Sequence, residues 1–480
     1  MSPLSLLLQR SPSSPPPNIL SPRERVPGGR VRVFGFDSDS TLVINRSTLA
    51  CTALALIILA SSAGLSIARE PDASPLPSAS LADDGQDERT PVAVPRPSAL
   101  ALQYERGGNW LWVIDQIWAL AVPALLLFTG ASARVRDLAG RVGRSWFLTI
   151  GVYVVLYTAI VFAVSLPLSY YQGYIRSHAY GLSDQTLGRW LGNASKFQLV
   201  SMATGFCFAW VPFWLIARSP RHWWLWTTLL TVPFLFGVML LKPIWVDPLF
   251  NDFGRMRNEA LERDILALAR RAGIEGSRVF EVDKSRDTKT VNAYVTGVLG
   301  TKRIVLWDTL VDKLGEKELL FVMAHEMGHY ALGHVVRSVL LSTLGILAGL
   351  FVVDRVGRLL IGRFRERFGF DRLSDVASVP LLLLLMEMTS LVVVPVAFAY
   401  SRHQEHEADR FALELTRSNR SGALAFRKLM LENLSNPRPY PLLRPWKATH
   451  PSIGERIDFC NQYHPWNLGQ PFRYGALFRP

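Results

Sequence analysis

Long apolar stretches with few or no charged residues constrain this chain more than any other feature of its sequence. A helix needs about 20 mostly apolar residues to cross the hydrocarbon core of a bilayer. The chain has 480 residues, of which 49% are hydrophobic and only 19% charged, whereas charged residues make up about a quarter of an ordinary soluble protein. Because the apolar residues are concentrated in segments, the sequence predicts an α-helical multi-pass membrane protein with six or seven transmembrane helices. Six of the segments are residues 109–129, 146–168, 197–217, 223–241, 338–353 and 379–400.

Two of these segments contain a carboxylate, Asp115 in the first and Glu387 in the last. A charged side chain that faces lipid costs several kcal/mol. We therefore expect both carboxylates to face protein or a polar interior.

A further apolar segment, residues 47–68, precedes these six and allows two interpretations. It has a basic start, an apolar centre and small residues at its end, which is the pattern of a signal peptide, but a first transmembrane helix fits equally well. Residues 1–46 are rich in Pro, Ser and Arg and are predicted to be disordered or an over-extended start. Residues 69–108 are acidic and rich in Pro and Ala, which predicts a flexible loop.

The net charge of +13 arises largely from arginines in short loops between the apolar segments. Such loops usually lie on the cytoplasmic side of a membrane. The positive charge therefore predicts the orientation of the chain in the membrane. We find no basic patch interleaved with aromatic residues in a polar part of the chain, and nucleic acid is therefore not expected as a partner. The arginines of two of these loops are Arg134, Arg136, Arg141 and Arg144, and Arg355, Arg358, Arg363, Arg365, Arg367 and Arg372.

The polar residues are concentrated in two regions separated by apolar segments. Residues 242–337 follow a region of four predicted transmembrane helices (109–241), and residues 401–480 follow two more (338–400). We expect the two polar regions to form one mixed α/β domain inserted among the membrane helices. Helical periodicity at 252–272 and from Glu316, and β-rich runs at 278–282, 293–298 and 303–307, predict the elements of its first region.

The helix that begins near Glu316 carries a histidine pair with metal-ligand spacing. Residues 324–330 read AHEMGHY, so His325 and His329 lie one turn apart on the same face, where both can bind one zinc ion. Glu326 can accept a proton from the attacking water and pass it to the leaving amine. A chance match is the alternative, but the helix-forming residues before the motif and the β-rich segment before them favour a zinc site.

A hydrolytic zinc site needs a third protein ligand and an open position for water. The metzincin pattern places its third histidine ten residues after the first, but His334 is only nine after His325, so His334 is interpreted as a polar residue at the boundary between helix and membrane. The segment SRHQEHEADR offers Glu405, Glu407 and Asp409 instead. Glu405 and Asp409 are four residues apart, so both can face the helix that carries His325 and His329. One would bind the metal, and the other would accept a hydrogen bond from a ligating histidine and orient it. Spacing alone does not choose between Glu405 and Glu407.

Three stretches together resemble the type 1 CAAX prenyl protease family of integral-membrane zinc endopeptidases and its bacterial relatives. They read AHEMGHYALGH (324–334), SRHQEHEADRFA (401–412) and THPSIGERI (449–457). This combination is far more specific than the histidine motif alone, and residues 1–100 lie outside the resemblance. Weaker matches, in the order of the family, are HAYGLSDQT (178–186), KPIWVDPLFNDF (242–253) and the stretch from VNAYVTG to KRIVLWDTL (291–310).

The resemblance implies roles for residues outside the histidine motif. Glu405 matches the third zinc ligand of the family, and Asp409 matches the acidic partner in E-x-x-x-D. His450 matches a histidine that stabilises the oxyanion of the tetrahedral intermediate, a role that needs a donor where charge develops. Arg456 is expected to support that loop.

The resemblance also implies how substrate is bound and how the chain is arranged. Asn292 and the strand after it, with Ala293 and Tyr294, match the element that pairs with the substrate backbone by strand addition. His406 departs from the pattern, because family members commonly carry an aromatic or apolar residue there. A ring of helices around a large water-filled chamber, closed by a gluzincin-type domain, is the architecture that the resemblance implies.

These observations predict a membrane-embedded zinc metalloendopeptidase with one Zn²⁺ per chain. Membrane lipids and a polypeptide substrate, either membrane-associated or lipidated, are the expected partners. A quality-control metalloprotease of the heat-shock type is the first alternative, but that family has fewer spans and lacks a segment like HAYGLSDQT. A catalytically silent membrane scaffold is the second, and it predicts the loss of His325, Glu326, His329 or Glu405, all of which are present.

The positions of the arginines and the family resemblance predict opposite orientations for the polar domain, which is the mixed α/β domain formed by residues 242–337 and 401–480. The short arginine loops place residues 242–337 and the C-terminal region outside the cytoplasm, whereas eukaryotic members of the family present the active site to the cytosol. Lysine and arginine total 52, and arginine predominates, as is typical of bacteria with GC-rich genomes. This favours a bacterial inner membrane over a membrane of the endoplasmic-reticulum type.

Overall fold

The structure, a computed structural model, describes residues 87–274, 278–296 and 303–479. The described chain is mostly helical and contains one small sheet. The predictions made for residues 1–46 and 47–68 lie outside the described residues.

The first described helix, α1 (Ala99–Phe128), begins ten residues before the predicted apolar segment. Ser98 caps this helix, because its hydroxyl accepts a hydrogen bond from the backbone N–H of Ala101 at 3.0 Å. The residues after the cap include Ala, Leu, Gln and Glu, which are good helix formers. Residues 99–108 are therefore helical, and the loop predicted over 69–108 is wrong for that part.

Six helical segments of the described residues are long and apolar enough to cross a membrane, which confirms the prediction of six spans. Four of them precede the polar domain, and Glu387, in the last, is buried within the protein. The helices up to the end of the fourth span are α1, α2 (Ala131–Gly143), α3 (Trp146–Tyr170), α4 (Leu187–Phe208), α5 (Trp210–Arg218) and α6 (Trp223–Leu241).

A mixed α/β unit follows the fourth span. Its sheet has the order β1-β2-β4-β3, in which β2 and β4 are parallel and the outer strands are antiparallel to their neighbours. The helix predicted over 252–272 begins only at Glu259, because Asn258 caps it, and the buried residues Leu261, Ile265 and Leu268 form its apolar face. Its elements are β1 (Phe253–Gly254), α7 (Glu259–Arg271), β2 (Arg278–Val282), β3 (Ala293–Thr296), β4 (Arg303–Trp307), α8 (Asp308–Lys313) and α9 (Glu316–Ala331).

Two long helices connect this unit with the membrane, α10 (His334–Phe368) and α11 (Val379–Thr416). At 1.5 Å per residue α11 is about 57 Å long, well beyond the roughly 30 Å of hydrocarbon in a bilayer, so one end of it extends into the polar domain. The chain continues through α12 (Asn419–Glu432), α13 (Arg444–Lys447) and α14 (Ile453–Gln462).

Both polar regions of the sequence contribute to one hydrophobic core. Ile265 and Phe321 come from the region before α10, whereas Phe411 and Ile457 come from α11 and the region after it, and all four side chains are buried in the same cluster. A shared core explains how residues more than 100 positions apart in sequence reach one site.

The loops that connect the spans are held together at the end of the membrane helices away from the polar domain. Arg136, on α2, donates to Asp375 Oδ2 at 2.6 Å and to the Gly369 carbonyl at 3.0 Å. Arg358, on α10, donates to the Pro220 carbonyl. These contacts join the connections between spans on this side, where α2 and the C-terminal part of α10 carry most of the clustered arginines.

The loop after α3 contacts the polar domain instead. The Lys289 N–H donates to the Leu182 carbonyl at 2.8 Å, and the Ser183 hydroxyl donates to the Asp287 carbonyl at 2.7 Å. Because successive spans alternate in direction, the polar domain and the arginine loops lie on opposite sides of the membrane.

A buried ion pair holds α9 against α12. Lys428 Nζ lies 2.7 Å from Glu318 Oε2, and the two side chains are only 10% and 6% exposed. The same carboxylate oxygen accepts a hydrogen bond from the Gly315 N–H at 2.7 Å, at the start of α9. The pair therefore anchors the N-terminal end of the helix that carries the histidine motif.

We expect the arginine loops to lie in the cytoplasm and the polar domain outside it, because short arginine-rich loops are retained on the cytoplasmic side. In a variant lacking Cys51 and Cys207, Asp312→Cys should react with a membrane-impermeant maleimide added to intact cells, and Asp137→Cys should not. Both aspartates are 59% exposed, so the two positions are matched in accessibility. Labelling of Asp137→Cys with protection of Asp312→Cys would establish the opposite orientation.

The substitution Lys428→Met should lower the free energy of unfolding by about 3 kcal/mol, because it leaves the Glu318 carboxylate buried without its counter-charge. Lys317→Met, at an exposed position of α9, should change it by less than about 0.5 kcal/mol. Denaturant unfolding in detergent, followed by tryptophan fluorescence, measures both variants. Equal stabilities would show that the pair does not anchor α9.

Candidate metal centre

The histidine motif of α9 faces α11 across a close contact between the two helices. A Cβ placed on Gly328 would lie 3.2 Å from Phe411 Cβ and 3.3 Å from Ala408 Cα. Such distances are tighter than ordinary van der Waals contact, so the absence of a side chain at this position permits the approach. The contact places His325 and His329 opposite the acidic residues of α11.

Three side chains converge at this contact: His325, His329 and Glu405. The Nε2 atoms of the histidines lie 3.2 Å apart, and each lies 3.3 Å from an oxygen of the Glu405 carboxylate. One ligand atom from each residue therefore lies within 4.8 Å of the others. Two imidazole nitrogens and one carboxylate oxygen at these separations form a set that can hold a metal ion.

One atom of this set lacks the partner that its burial requires. Glu405 Oε2 is buried and lies 3.3 Å from Nε2 of His325 and 3.2 Å from Nε2 of His450, but it accepts no hydrogen bond from any residue that the structure describes. A buried carboxylate oxygen without a partner is costly, and a cation held by the three side chains would provide that partner. The residues therefore fit a bound metal ion.

The structure brings Glu405 rather than Glu407 to the histidine pair and places Asp409 behind it. Asp409 Oδ1 lies 2.9 Å from Nδ1 of His325. Arg456, on α14, donates to both Asp409 oxygens at 2.9 and 2.6 Å. A carboxylate at Nδ1 holds the ring so that Nε2 points toward the other ligands.

The protonation of His325 reflects this environment. Burial and the Arg456 guanidinium favour the neutral ring, but the nearby carboxylates of Asp409 and Glu405 outweigh them and raise the pKa of His325 to about 9. A metal ion that binds here competes with a proton on this ring.

Glu326 lies beside these ligands and lines a cavity of about 690 Å³. Its side chain is half-buried, and burial raises the pKa of its carboxyl group. A carboxylate with a raised pKa is a stronger proton acceptor than one in water. Residues of α1, including Trp112, line the same cavity.

His450, in the loop before α14, also lines this cavity. Its Nε2 lies 3.2 Å from Glu405 Oε2, and its Nδ1 lies 2.8 Å from Thr449 Oγ1. Burial lowers the pKa of His450 to about 4. The ring is therefore neutral near pH 7, so it can act as an N–H donor and not as a cation.

The residues predicted to bind substrate occupy two different environments. Asn292 and Ala293 line the cavity together with Glu326. Tyr294 packs against the hydrophobic core of the polar domain and is not among the residues lining the cavity. β3 is an outer strand of the sheet, paired with β4 on one side.

Two further residues, His334 and Glu407, lie next to the candidate metal centre. His334 does begin a spanning helix, but its side chain is buried and its Nδ1 lies 3.0 Å from Nδ1 of His329. Glu407 Oε2 lies 3.5 Å from Nε2 of His334. The sequence signal for this arrangement is the glycine before His334, because Gly333 adopts a φ of +68° at the turn between α9 and α10. His406, the departure from the family pattern, packs its ring against Phe459 at 4.2 Å between centroids.

Two family models match the chain in succession. Residues 99–252 match a CAAX prenyl protease N-terminal region with five membrane helices. Residues 255–463 match peptidase family M48. The boundary between the matches lies at the passage from the membrane helices to the polar domain.

Among the proteins that the chain resembles are a bacterial metalloprotease and several CAAX prenyl proteases. The metalloprotease YhfN of Bacillus subtilis is 37% identical over 380 residues, which cover 78% of this chain and 88% of that protein. A CAAX prenyl protease 1 homolog of Dictyostelium discoideum is 29% identical over 373 residues, covering 75% and 84% of the two chains.

A solved structure shows the same fold. The crystal structure of S. mikatae Ste24p superposes with a TM-score of 0.66 at 22% sequence identity, over 87% of this chain and 96% of that one. The two family models and the extent of the match to YhfN show that the chain belongs to peptidase family M48 and is a multi-pass membrane metallopeptidase similar to the CAAX prenyl proteases.

Proposed function

We propose that the protein is a zinc endopeptidase that cleaves membrane-associated polypeptides at the metal centre of α9 and α11. The observation that carries this proposal is the convergence of His325, His329 and Glu405 around an unpartnered buried carboxylate oxygen. Glu326 and His450 border the same cavity, so a general base and an N–H donor lie beside the ligands.

Zinc is the metal that we assign to this centre, with one ion per chain. Two histidines and a glutamate are the protein ligands of one class of catalytic zinc sites, which leave a fourth position open. When bound, zinc polarises the scissile carbonyl and supplies a nucleophile at neutral pH. The remaining steps fall to side chains of this protein.

Glu326 acts as the general base and then as the acid. Its carboxylate accepts the proton released when water attacks the scissile carbonyl, and it delivers that proton to the leaving amine. The raised pKa of this buried carboxyl group suits both transfers, because the group binds the proton more strongly than an exposed glutamate does.

His450 donates an N–H to the oxygen of the scissile carbonyl as negative charge develops there. Its ring lies next to Glu405 and stays neutral near pH 7. A neutral donor stabilises the oxyanion without adding a cation beside the bound metal. Arg456 supports this arrangement from the other side, where it holds Asp409 against His325.

The substrate is a polypeptide that binds as an extended strand along the cavity. Asn292 and Ala293 place the start of an outer strand at the cavity, and main-chain pairing with such a strand binds peptides independently of their sequence. Residues of the spanning helix α1 line the same cavity, which favours substrates that are themselves held at the membrane.

Removal of the metal should abolish peptide hydrolysis. Incubation of the purified protein with 1,10-phenanthroline, followed by desalting, should reduce cleavage of a fluorogenic peptide to background. One equivalent of Zn²⁺ per chain should restore it, and Mg²⁺ should not, because magnesium prefers an all-oxygen octahedral site. Activity that survives complete removal of zinc, verified by elemental analysis, would exclude the proposed chemistry.

The substitution Glu326→Gln should leave the metal in place and lower kcat by about 10³-fold, since a general base contributes roughly 10² to 10⁴. Glu316→Gln, at an exposed position of the same helix, serves as the control and should behave like the wild type. Zinc content and peptide cleavage are measured on the same preparations. Normal cleavage by a zinc-loaded Glu326→Gln variant would rule out this residue as the base.

A further inference from the structure

The two ligand histidines are supported by different groups. His325 has a carboxylate at Nδ1, that of Asp409, at 2.9 Å. His329 has another imidazole at the same atom, that of His334, with 3.0 Å between the two Nδ1 atoms. No carboxylate is in ion-pair contact with Nδ1 of His329 in the described part of the chain.

The protons on this pair of rings follow from their geometry. Nε2 of His329 faces the other ligand atoms, so it must offer a lone pair to a metal, and the proton of the neutral ring is on Nδ1. That N–H can only donate to His334 if Nδ1 of His334 carries a lone pair. The proton of His334 is then on Nε2, which lies 3.5 Å from the Glu407 carboxylate.

His334 is held in this position by its backbone and its burial. Gly333 adopts a φ of +68°, a left-handed conformation that glycine takes without steric cost, and thereby starts α10 beside the end of α9. The His334 carbonyl accepts a hydrogen bond from Gln404 Nε2 at 3.2 Å, and Gln404 Oε1 accepts one from Ser338 at 3.0 Å. The side chain of His334 is 2% exposed.

Groups other than His334 hold the carboxylate of Glu407 in place. The Tyr474 hydroxyl donates to its Oε1 at 3.0 Å. Three basic groups surround the carboxylate at longer range: His403 at 3.6 Å, Arg473 at 3.7 Å and Arg337 at 3.9 Å. The carboxylate thus has a fixed position from which it faces Nε2 of His334.

We propose that His334 is a positioning residue that orients the metal ligand His329 and is itself oriented by Glu407. This assignment rests on the proposed metal centre and extends it to a second support. An imidazole accepts the N–H of His329 without adding charge, whereas a carboxylate at this position would add another anion beside Glu405 and Glu326. The centre would thus have one charged support, Asp409, and one neutral support, His334.

The test is metal affinity and ligand geometry in the full-length protein in detergent. Apoprotein is titrated with Co²⁺ in competition with a chromophoric chelator, and the visible spectrum of bound Co²⁺ reports the coordination geometry. We expect His334→Ala to bind Co²⁺ about 10- to 100-fold more weakly, the effect usual for a residue that orients a ligand, and to shift the absorption bands. His334→Gln should restore affinity and spectrum, because its amide oxygen can accept the N–H of His329.

His403→Ala is the matched control, because it removes a different histidine that contacts the same Glu407 carboxylate. His403 is 62% exposed and makes no described contact with His329, so this variant should retain wild-type affinity. If His334→Ala does not fold, His334→Met replaces it, since methionine is close in size to glutamine but is a poor acceptor. Wild-type affinity and spectrum in either apolar variant, or an equal loss in His403→Ala, would overturn the assignment.

The same titration separates this assignment from the proposed function. A wild-type protein that binds no Co²⁺ or Zn²⁺ would overturn the metal centre and the role of His334 with it. A wild type that binds metal tightly, together with an unaffected His334→Ala variant, would overturn only the role of His334.

Discussion

The close approach of α9 and α11 at Gly328 is the interaction on which the rest of the site depends. With no side chain at this position, the backbone of α9 lies against Ala408 and Phe411 of α11. Every proposed metal ligand lies on one of these two helices, within one turn of the contact. The separation of His325, His329 and Glu405 is therefore set by helix packing, which tolerates little change in volume.

The packing of α9 against α11 buries several carboxylates close together, and each of them needs a positive group beside it. Glu405 and Asp409 are both buried on α11, and desolvation of two carboxylates costs several kcal/mol unless each is paired. Arg456 balances Asp409 through two hydrogen bonds. Glu405 has basic rings around it but an unpartnered oxygen among the described residues, so a bound divalent cation would complete the balance. Metal binding would then stabilise the fold as well as enable hydrolysis.

Much of the fold follows from patterns that are local in the sequence. Apolar segments predicted the six spans, and the histidine motif and β-rich runs predicted α9 and the strands β2, β3 and β4, but not the short β1. The choice between Glu405 and Glu407 could not be made in this way, because both lie on one helix and only the packing of α11 decides which carboxylate meets the histidines. The contact between His334 and His329 could not be predicted for a related reason. The distance of His334 from His325 excluded one known pattern, but its position depends on the turn at Gly333, and only the three-dimensional structure shows where that turn leads.

The continuity of α11 relates the chemistry to the membrane. One unbroken helix runs from a spanning segment to Glu405 and Asp409, so the third proposed ligand has a fixed height above the bilayer. The cavity beside it is lined by Glu326 and His450 and also by residues of the spanning helix α1. A peptide bond that reaches Glu326 would therefore lie in the same cavity as a membrane helix. Proximity to the membrane would then select substrates more strongly than the side chains around the scissile bond, because strand pairing at Ala293 reads the peptide backbone alone.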